Sequence, residues 1–165
     1  MQIEKINKYN IDILKMFQTF QTKTDRERDL IDSALHDLKK GNIVIYLLVD
    51  NITLLGFVSV SVNKLNSKDF SLPSIEIDYL FVDKKYRGKI LLENQKASSF
   101  LLGFVEKLAK KLKDDVGIRS IILYPDKQEE NLIKFYLDLG FQKEKIIIWN
   151  KQRETEFWMI RKIEN

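Results

Sequence analysis

Two stretches of this sequence carry residue types and spacings that could do chemistry. The first is Asp83-Lys84-Lys85-Tyr86-Arg87-Gly88-Lys89, a basic turn with a glycine inside it. Glycine lets a backbone approach a phosphate closely, and Arg87 and Lys89 supply positive charge. The turn follows an apolar run ending Leu80-Phe81-Val82 and precedes, after a loop, a long amphipathic segment beginning near Ser99. Strand, turn and helix in that order expose backbone amides at the helix N-terminus, where the dipole also favours an anion. A diphosphate is the natural guest, and a solvated basic turn is the plainer reading. The second stretch runs from Leu132 to Phe141 and contains Phe135-Tyr136. Ordinary helix packing accounts for Phe135 and Phe141. Tyr136 adds a hydroxyl that needs a partner if buried, which makes it a candidate general acid.

The rest of the composition narrows the chemistry further. The chain has no cysteine, so disulfides, thiolate nucleophiles and cysteine-based zinc sites are excluded. Its one histidine, His36, sits in a helical run without a metal-ligand partner nearby, and is expected on a helix surface or edge. A Ser-His-Asp hydrolase or a His-ligated metal site is therefore disfavoured, and no metal is expected. What remains is carboxylates, tyrosine and backbone amides. The first residues, Met1-Gln2-Ile3-Glu4-Lys5, are mixed and charged and do not read as a signal peptide. No apolar run approaches the ~20 residues of a spanning helix, so a soluble, cytoplasmic protein without a membrane partner is expected. The net charge of +4 suits polyanions but discriminates little.

The elements that must position these residues follow from periodicity. Ile3 to Ile6 is a short strand candidate, and Ile11, Leu14, Phe17 and Phe20 recur at helical spacing. Thr24 caps a second helix with Glu27 three residues on, and that helix stops at Gly41. Ile43 to Val49 and Thr53 to Val62 flank the turn signal Asp50-Asn51 and read as a hairpin. A polar loop from Asn63 to Ser71 leads to the strand Ile75 to Val82, whose alternation gives way to a fully apolar end. A regular helix spans Phe100 to Leu112, a short strand Ser120 to Tyr124, and a helix Leu132 to Leu139 with Gly140 just past its end. Two closing strands run from Gln142 to Trp149 and from Thr155 to Ile163. The order β-α-α-β-β-β-α-β-α-β-β, without linker or repeat, predicts one α+β domain over 1–165. The strand-helix-strand crossover from Ile75 to Tyr124 should make its two strands parallel.

The strand Glu76-Ile77-Asp78-Tyr79-Leu80-Phe81-Val82, then Tyr-Arg-Gly-Lys, then helix, strand and Phe-Tyr-x-x-x-Gly-Phe resembles the GNAT acetyltransferases over nearly the whole chain. The resemblance implies a mixed central sheet of six to seven strands flanked by about four helices, with its central parallel strands splayed by a bulge. It implies acetyl-CoA as acyl donor and an amine as acceptor. By resemblance, the backbone of Phe81 and Val82 binds the pantetheine arm and an amide there polarises the thioester carbonyl. Arg87, Gly88 and Lys89 match the first part of the R-G-x-G-x-G/A pyrophosphate loop. Tyr136 matches the tyrosine that protonates the departing thiolate, and Glu76 the strand position where some members place a general base, often acting through water.

Two departures stand out. Where the family continues Gly-x-Gly/Ala, this chain inserts about six residues, Ile90 to Gln95, before Ala97-Ser98-Ser99. The expectation is that amides around Ala97, Ser98 and Ser99 still meet the pyrophosphate. Glu129 stands where the family often has an asparagine contacting the cofactor, which puts that contact in doubt. The expected function is transfer of an acetyl group to a primary amine of a small molecule or protein by direct attack. A toxin of the same family that acetylates charged tRNA is an alternative, with Lys39-Lys40, Lys84-Lys85 and Lys110-Lys111 as phosphate contacts, although nucleic acid is not the favoured partner. A degenerate acetyl-CoA-binding module without catalysis is the other. A homodimer through the last strands is compatible with each. Acceptor selection is expected in Ile11 to Lys40 and Trp149 to Glu156, and Trp149 and Trp158 read first as packing residues.

Overall fold

A computed structural model describes residues 1–6, 11–66, 71–91, 94–125, 130–145 and 157–163. Among them are seven strands, β1 (Gln2–Ile6), β2 (Val44–Asp50), β3 (Thr53–Asn66), β4 (Ser71–Val82), β5 (Ser120–Leu123), β6 (Gln142–Lys145) and β7 (Phe157–Lys162). Three α-helices, α1 (Asp25–Lys40), α2 (Ala97–Val116) and α3 (Glu130–Asp138), join a 3-10 helix at Ile11–Thr19. The strand order is β1-β2-β3-β4-β5-β7-β6. The expected mixed α+β architecture with a seven-stranded sheet is what the chain forms. No described helix is long and apolar enough to cross a membrane.

Chain contacts divide these residues into two compact units, Met1–Ser61 with Asp78–Val105, and Val62–Ile77 with Glu106–Asn165. In the first, β1 pairs antiparallel with β2, and β2 with β3, with a register shift between Leu48 and Val49. Alternating residues of these strands and the apolar stripe of α1 bury Ile31, Ala34, Leu38, Ile45, Leu47, Val49 and Phe57 in one core. Phe17 and Phe20 join it, stacking within 5.2 and 5.9 Å of the Phe57 ring.

The segment at Ile11–Thr19 is a three-residue-per-turn helix, not the α-helix its periodicity suggested. The spacing of Ile11, Leu14, Phe17 and Phe20 is a strict three, and side chains three apart eclipse one another in the tighter helix. Helix α1 matches its sequence signals. Thr24 has extended angles and accepts from the Glu27 amide at 3.2 Å, while Gly41, at φ 80°, closes the C-terminus onto Asp37 and Leu38 carbonyls. Gly41→Ala forces a side chain into that left-handed conformation and should lower unfolding free energy by about 1 kcal/mol, as denaturant titration will show.

In the second unit β4 and β5 are parallel, as the crossover predicted, over four pairs from Ser74↔Ser120 to Ile77↔Leu123. This ladder keeps a regular register, and β4 runs on as Asp78–Val82 after it ends. The Ser74 and Ser120 hydroxyls, both fully buried, lie 2.7 Å apart across it. Strand β7 pairs antiparallel with both β5 and β6. Trp158 packs against Ile122 and Ile160, edge-on to Tyr124, in keeping with its expected packing role, whereas Trp149 lies outside the described residues.

The region expected as a loop from Asn63 continues β3 as far as Asn66, and β4 begins at Ser71. Val62, Asn63 and Lys64 are all exposed, so no buried face marks this stretch, and only pairing with the partner strand reveals it. Helix α2 is longer than its apolar stripe at both ends. It begins at Ala97, and it ends at Val116, beyond which the Gly117 amide donates to the Lys113 carbonyl.

Candidate functional site

The turn after β4 is built from backbone outward. Asp83 is buried, and its two carboxylate oxygens accept from the Gln21 and Lys85 amides, each at 2.8 Å. Its own amide donates to the Leu55 carbonyl at 2.9 Å, and the Tyr86 amide donates to the Asp83 carbonyl. Lys84 donates through its amide to the Gln21 carbonyl. Asp83 thus ties the turn to the segment entering α1. Sequence reading passed over it as one polar residue of a basic run, although an aspartate that bonds the amide two residues on is a recurrent turn former.

Arg87 is committed on every side. Its Nε donates to the Val82 carbonyl at 2.8 Å, and its two terminal nitrogens donate to the two Glu27 oxygens at 2.7 and 2.8 Å. Glu27 also accepts from the Lys23 amide at 2.6 Å. Burial opposes ionisation of this carboxyl, but the Arg87 and backbone hydrogen bonds outweigh it and hold the group below its ordinary value. The guanidinium expected to face a phosphate is bonded to Glu27 and Val82 in this structure, and the exposed cation of the motif is Lys89. Glu27 was legible as a capping residue and, with Asp25 and Asp32, as an acidic group able to attract a cationic amine, but nothing local couples it to position 87.

Gly88 is exposed at φ 72°, a conformation that favours glycine, with open space around it. The inserted stretch folds back on itself. Ile90 and Lys96 form an isolated antiparallel bridge, the Leu91 amide donates to the Gln95 carbonyl at 2.8 Å, and Asn94 is left-handed at φ 57°. The bridged pair closes the insertion, with Lys89 just before it and Ala97 just after it in the chain. Ala97, Ser98 and Ser99 form the first turn of α2, whose leading N–H groups have no intrahelical acceptor. Arg87-Gly88-Lys89 and Ala97-Ser98-Ser99 are thus two sides of one loop despite the insertion. An open left-handed glycine, an exposed lysine and a helix N-terminus are a donor set that fits a diphosphate.

The strand end is held from behind by Gly56, where an added Cβ would stand 2.7 Å from the Phe81 carbonyl oxygen and 3.3 Å from the Val82 Cα. Phe81 packs its ring on Phe57 at 5.6 Å. Gly56→Ala should push the Phe81 peptide out of place and cost about 1–3 kcal/mol, measured by denaturant unfolding. Beside the turn lies a cleft of about 580 Å³ whose lining includes Gln18–Thr22, Arg28, Lys84 and Lys85.

The second unit carries Tyr136 and Glu76. Tyr136 is 4% exposed on α3, between Phe135 and Phe141 at ring distances of 5.3 and 5.6 Å. Its carbonyl accepts from the Leu139 and Phe141 amides, which end the helix and place Phe141 against its ring. Burial pushes its phenol well above the ordinary value of 10.0, at which the hydroxyl is already protonated at neutral pH. Glu76 is half-buried on β4, opposite Ile122, and its Oε2 accepts from the Asn63 amide nitrogen at 2.5 Å. Asn63 was missed because it fell in the stretch read as a loop. His36 is exposed on α1, as expected. Glu129 lies outside the described residues. Among the described residues no group of three potential metal ligands is found.

Residues 9–141 match the Acetyltransferase (GNAT) family. No curated protein sequence matches the chain. Solved structures share the fold. A tyrosine-to-phenylalanine mutant of the toxin AtaT, bound to the C-terminus of the antitoxin AtaR, is 16% identical with a TM-score of 0.74, covering 98% of this chain and 91% of its own. AtaT complexed with acetyl-methionyl-tRNAfMet is 17% identical with a TM-score of 0.69, covering 98% and 94%. AtaTR bound with acetyl-CoA is 17% identical with a TM-score of 0.73, covering 98% and 93%.

Proposed function

The chain belongs to the GNAT acetyltransferase family, and on that premise we propose that it transfers an acetyl group from acetyl-CoA to a primary amine of a small molecule or protein. The observation that carries this reading is the insertion closed by the Ile90–Lys96 bridge, which is flanked by Arg87-Gly88-Lys89 on one side and by Ala97-Ser98-Ser99 at the start of α2 on the other. Acetyl-CoA, when bound, supplies the activated acetyl group. Lys89, the Gly88 backbone and the first-turn amides of α2 hold its diphosphate. The Val82 carbonyl is already engaged by Arg87, so Phe81 and the Val82 amide are what the strand end offers to the pantetheine arm and the thioester carbonyl. Glu76, oriented by Asn63, or a water in its place, takes the proton from the attacking amine. Tyr136 donates its proton to the departing sulfur. A chain without cysteine is suited to direct attack rather than to an acyl-cysteine route. In this proposal residues 1–165 act as one cytoplasmic acetyltransferase domain.

The deciding experiment is transfer of labelled acetyl from acetyl-CoA to a broad amine panel. Transfer is expected. Coenzyme A binding without transfer to any amine would favour a binding module.

A second reading draws support from the AtaT structure with acetyl-methionyl-tRNA and from the cations Arg28, Lys84 and Lys85 at the cleft. Here the amine is the aminoacyl group of a charged tRNA. Growth arrest on expression, relieved by Tyr136→Phe and accompanied by acetylated aminoacyl-tRNA, is its expected mark. Unmodified aminoacyl-tRNA in arrested cells would overturn it.

A further inference from the structure

We infer that Glu27 is a positioning residue for the cofactor turn, acting through Arg87 to keep the end of β4 in the geometry that binds acetyl-CoA. The inference rests on the reading of that turn as the acetyl-CoA diphosphate site. Glu27 lies in the first turn of α1, sixty residues before Arg87. A capping carboxylate needs only its own helix. This one instead receives both arms of the Arg87 fork, at 2.7 and 2.8 Å, in addition to the Lys23 amide.

The third nitrogen of the guanidinium, Nε, donates to the Val82 carbonyl. A planar group held on both edges transmits position, because its donors have a fixed mutual geometry. Holding the Val82 carbonyl orients the peptide plane that continues into Asp83, whose amide is tied to Leu55. The contact is reinforced from the same side. The Gln21 amide donates to Asp83, the Lys84 amide to the Gln21 carbonyl, and Arg28 to the Phe20 carbonyl at 2.5 Å. The start of α1, the segment leading into it and the cofactor turn are therefore one bonded assembly, in which the Glu27–Arg87 pair joins side chain to side chain.

A competing account makes the opposite prediction. If Arg87 mattered as a charge for phosphate, removing Glu27 would release it and strengthen coenzyme A binding. Calorimetric titration of coenzyme A into the full chain separates the two, using Glu27→Ala, Glu27→Gln, Arg87→Ala and the Glu27→Ala/Arg87→Ala double variant. Gly41→Ala, which strains the far end of α1, serves as a control for lost stability alone. Glu27→Ala should weaken binding about tenfold, the scale of one coupled pair, and by no more than about twofold once Arg87 is already absent. Glu27→Gln should fall between, since its amide oxygen keeps one acceptor, and Gly41→Ala should bind as the parent does. Unchanged or tighter binding by Glu27→Ala, or an equal loss with and without Arg87, would overturn the inference. If the parent binds and Glu27→Ala binds equally well, only the role of Glu27 falls. A parent that does not bind coenzyme A removes the acetyl-CoA reading and this inference together.

Discussion

Tyr136→Phe is expected to slow acetyl transfer by about ten- to a thousandfold, the scale of one acid–base group, while coenzyme A binds as before. The substitution removes one oxygen and leaves the ring in place. Its packing on Phe135 and Phe141, and the backbone bonds that end α3, do not involve the hydroxyl. A phenol is protonated at neutral pH even at its ordinary value of 10.0 and burial pushes it higher still, so a donor is present in every molecule before reaction. The same burial makes it a weak acid, yet a thiolate leaving in an apolar setting is penalised too, which favours moving the proton as the bond breaks. Steady-state rates together with calorimetric coenzyme A affinity check this. A variant with parental turnover would remove Tyr136 from the reaction.

Arg87→Ala is expected to weaken coenzyme A binding by about ten- to a hundredfold and to lower stability by about 1–2 kcal/mol. The stability figure is that of charge-assisted hydrogen bonds, reduced because the two side chains are 30% and 20% exposed. The binding loss follows from the Val82 carbonyl losing its partner and the turn losing its brace. Calorimetry and thermal unfolding measure the two effects separately, and unaltered affinity would remove the turn as the cofactor site. The pair also has a pH signature. The Glu27 carboxyl ionises more readily folded than at its ordinary value of 4.5. Its contribution is therefore complete above that value and drains away as pH falls through the folded one. Stability measured from neutral pH downward should fall less steeply in Glu27→Gln than in the parent, and equal slopes would contradict the pairing.

Much of the fold was legible because it rests on local rules. Thr24 and Gly41 bound α1 through capping geometry that depends on a few neighbouring residues. The hairpin of β2 and β3 follows from two apolar runs around Asp50 and Asn51, and Asn51 takes the left-handed angle such a turn asks for. The parallel pairing of β4 and β5 follows from the crossover between them. The Tyr86-Arg87-Gly88-Lys89 motif and Phe135-Tyr136 were likewise visible as residue types in an order.

The misses share a cause. The 3-10 segment at Ile11–Thr19, the strand beyond Val62 and the start of α2 at Ala97 lie where hydropathy alone does not separate the alternatives. Exposed paired strand and exposed loop have the same composition, and they differ only in backbone partners supplied by another segment.

Taken by itself, then, the residue order determined the succession of elements, the ends of the capped helix, and the presence of a glycine-bearing basic turn after a buried strand. Only the tertiary structure decided how that turn is used. It closed the insertion through the Ile90–Lys96 bridge, gave Asp83 to the Gln21 amide, and spent the Arg87 fork on Glu27 and Val82. Period and capping are read over three or four residues. The partner of a long, forked side chain is chosen by which distant backbone the fold brings within about 3 Å, and no local pattern encodes that.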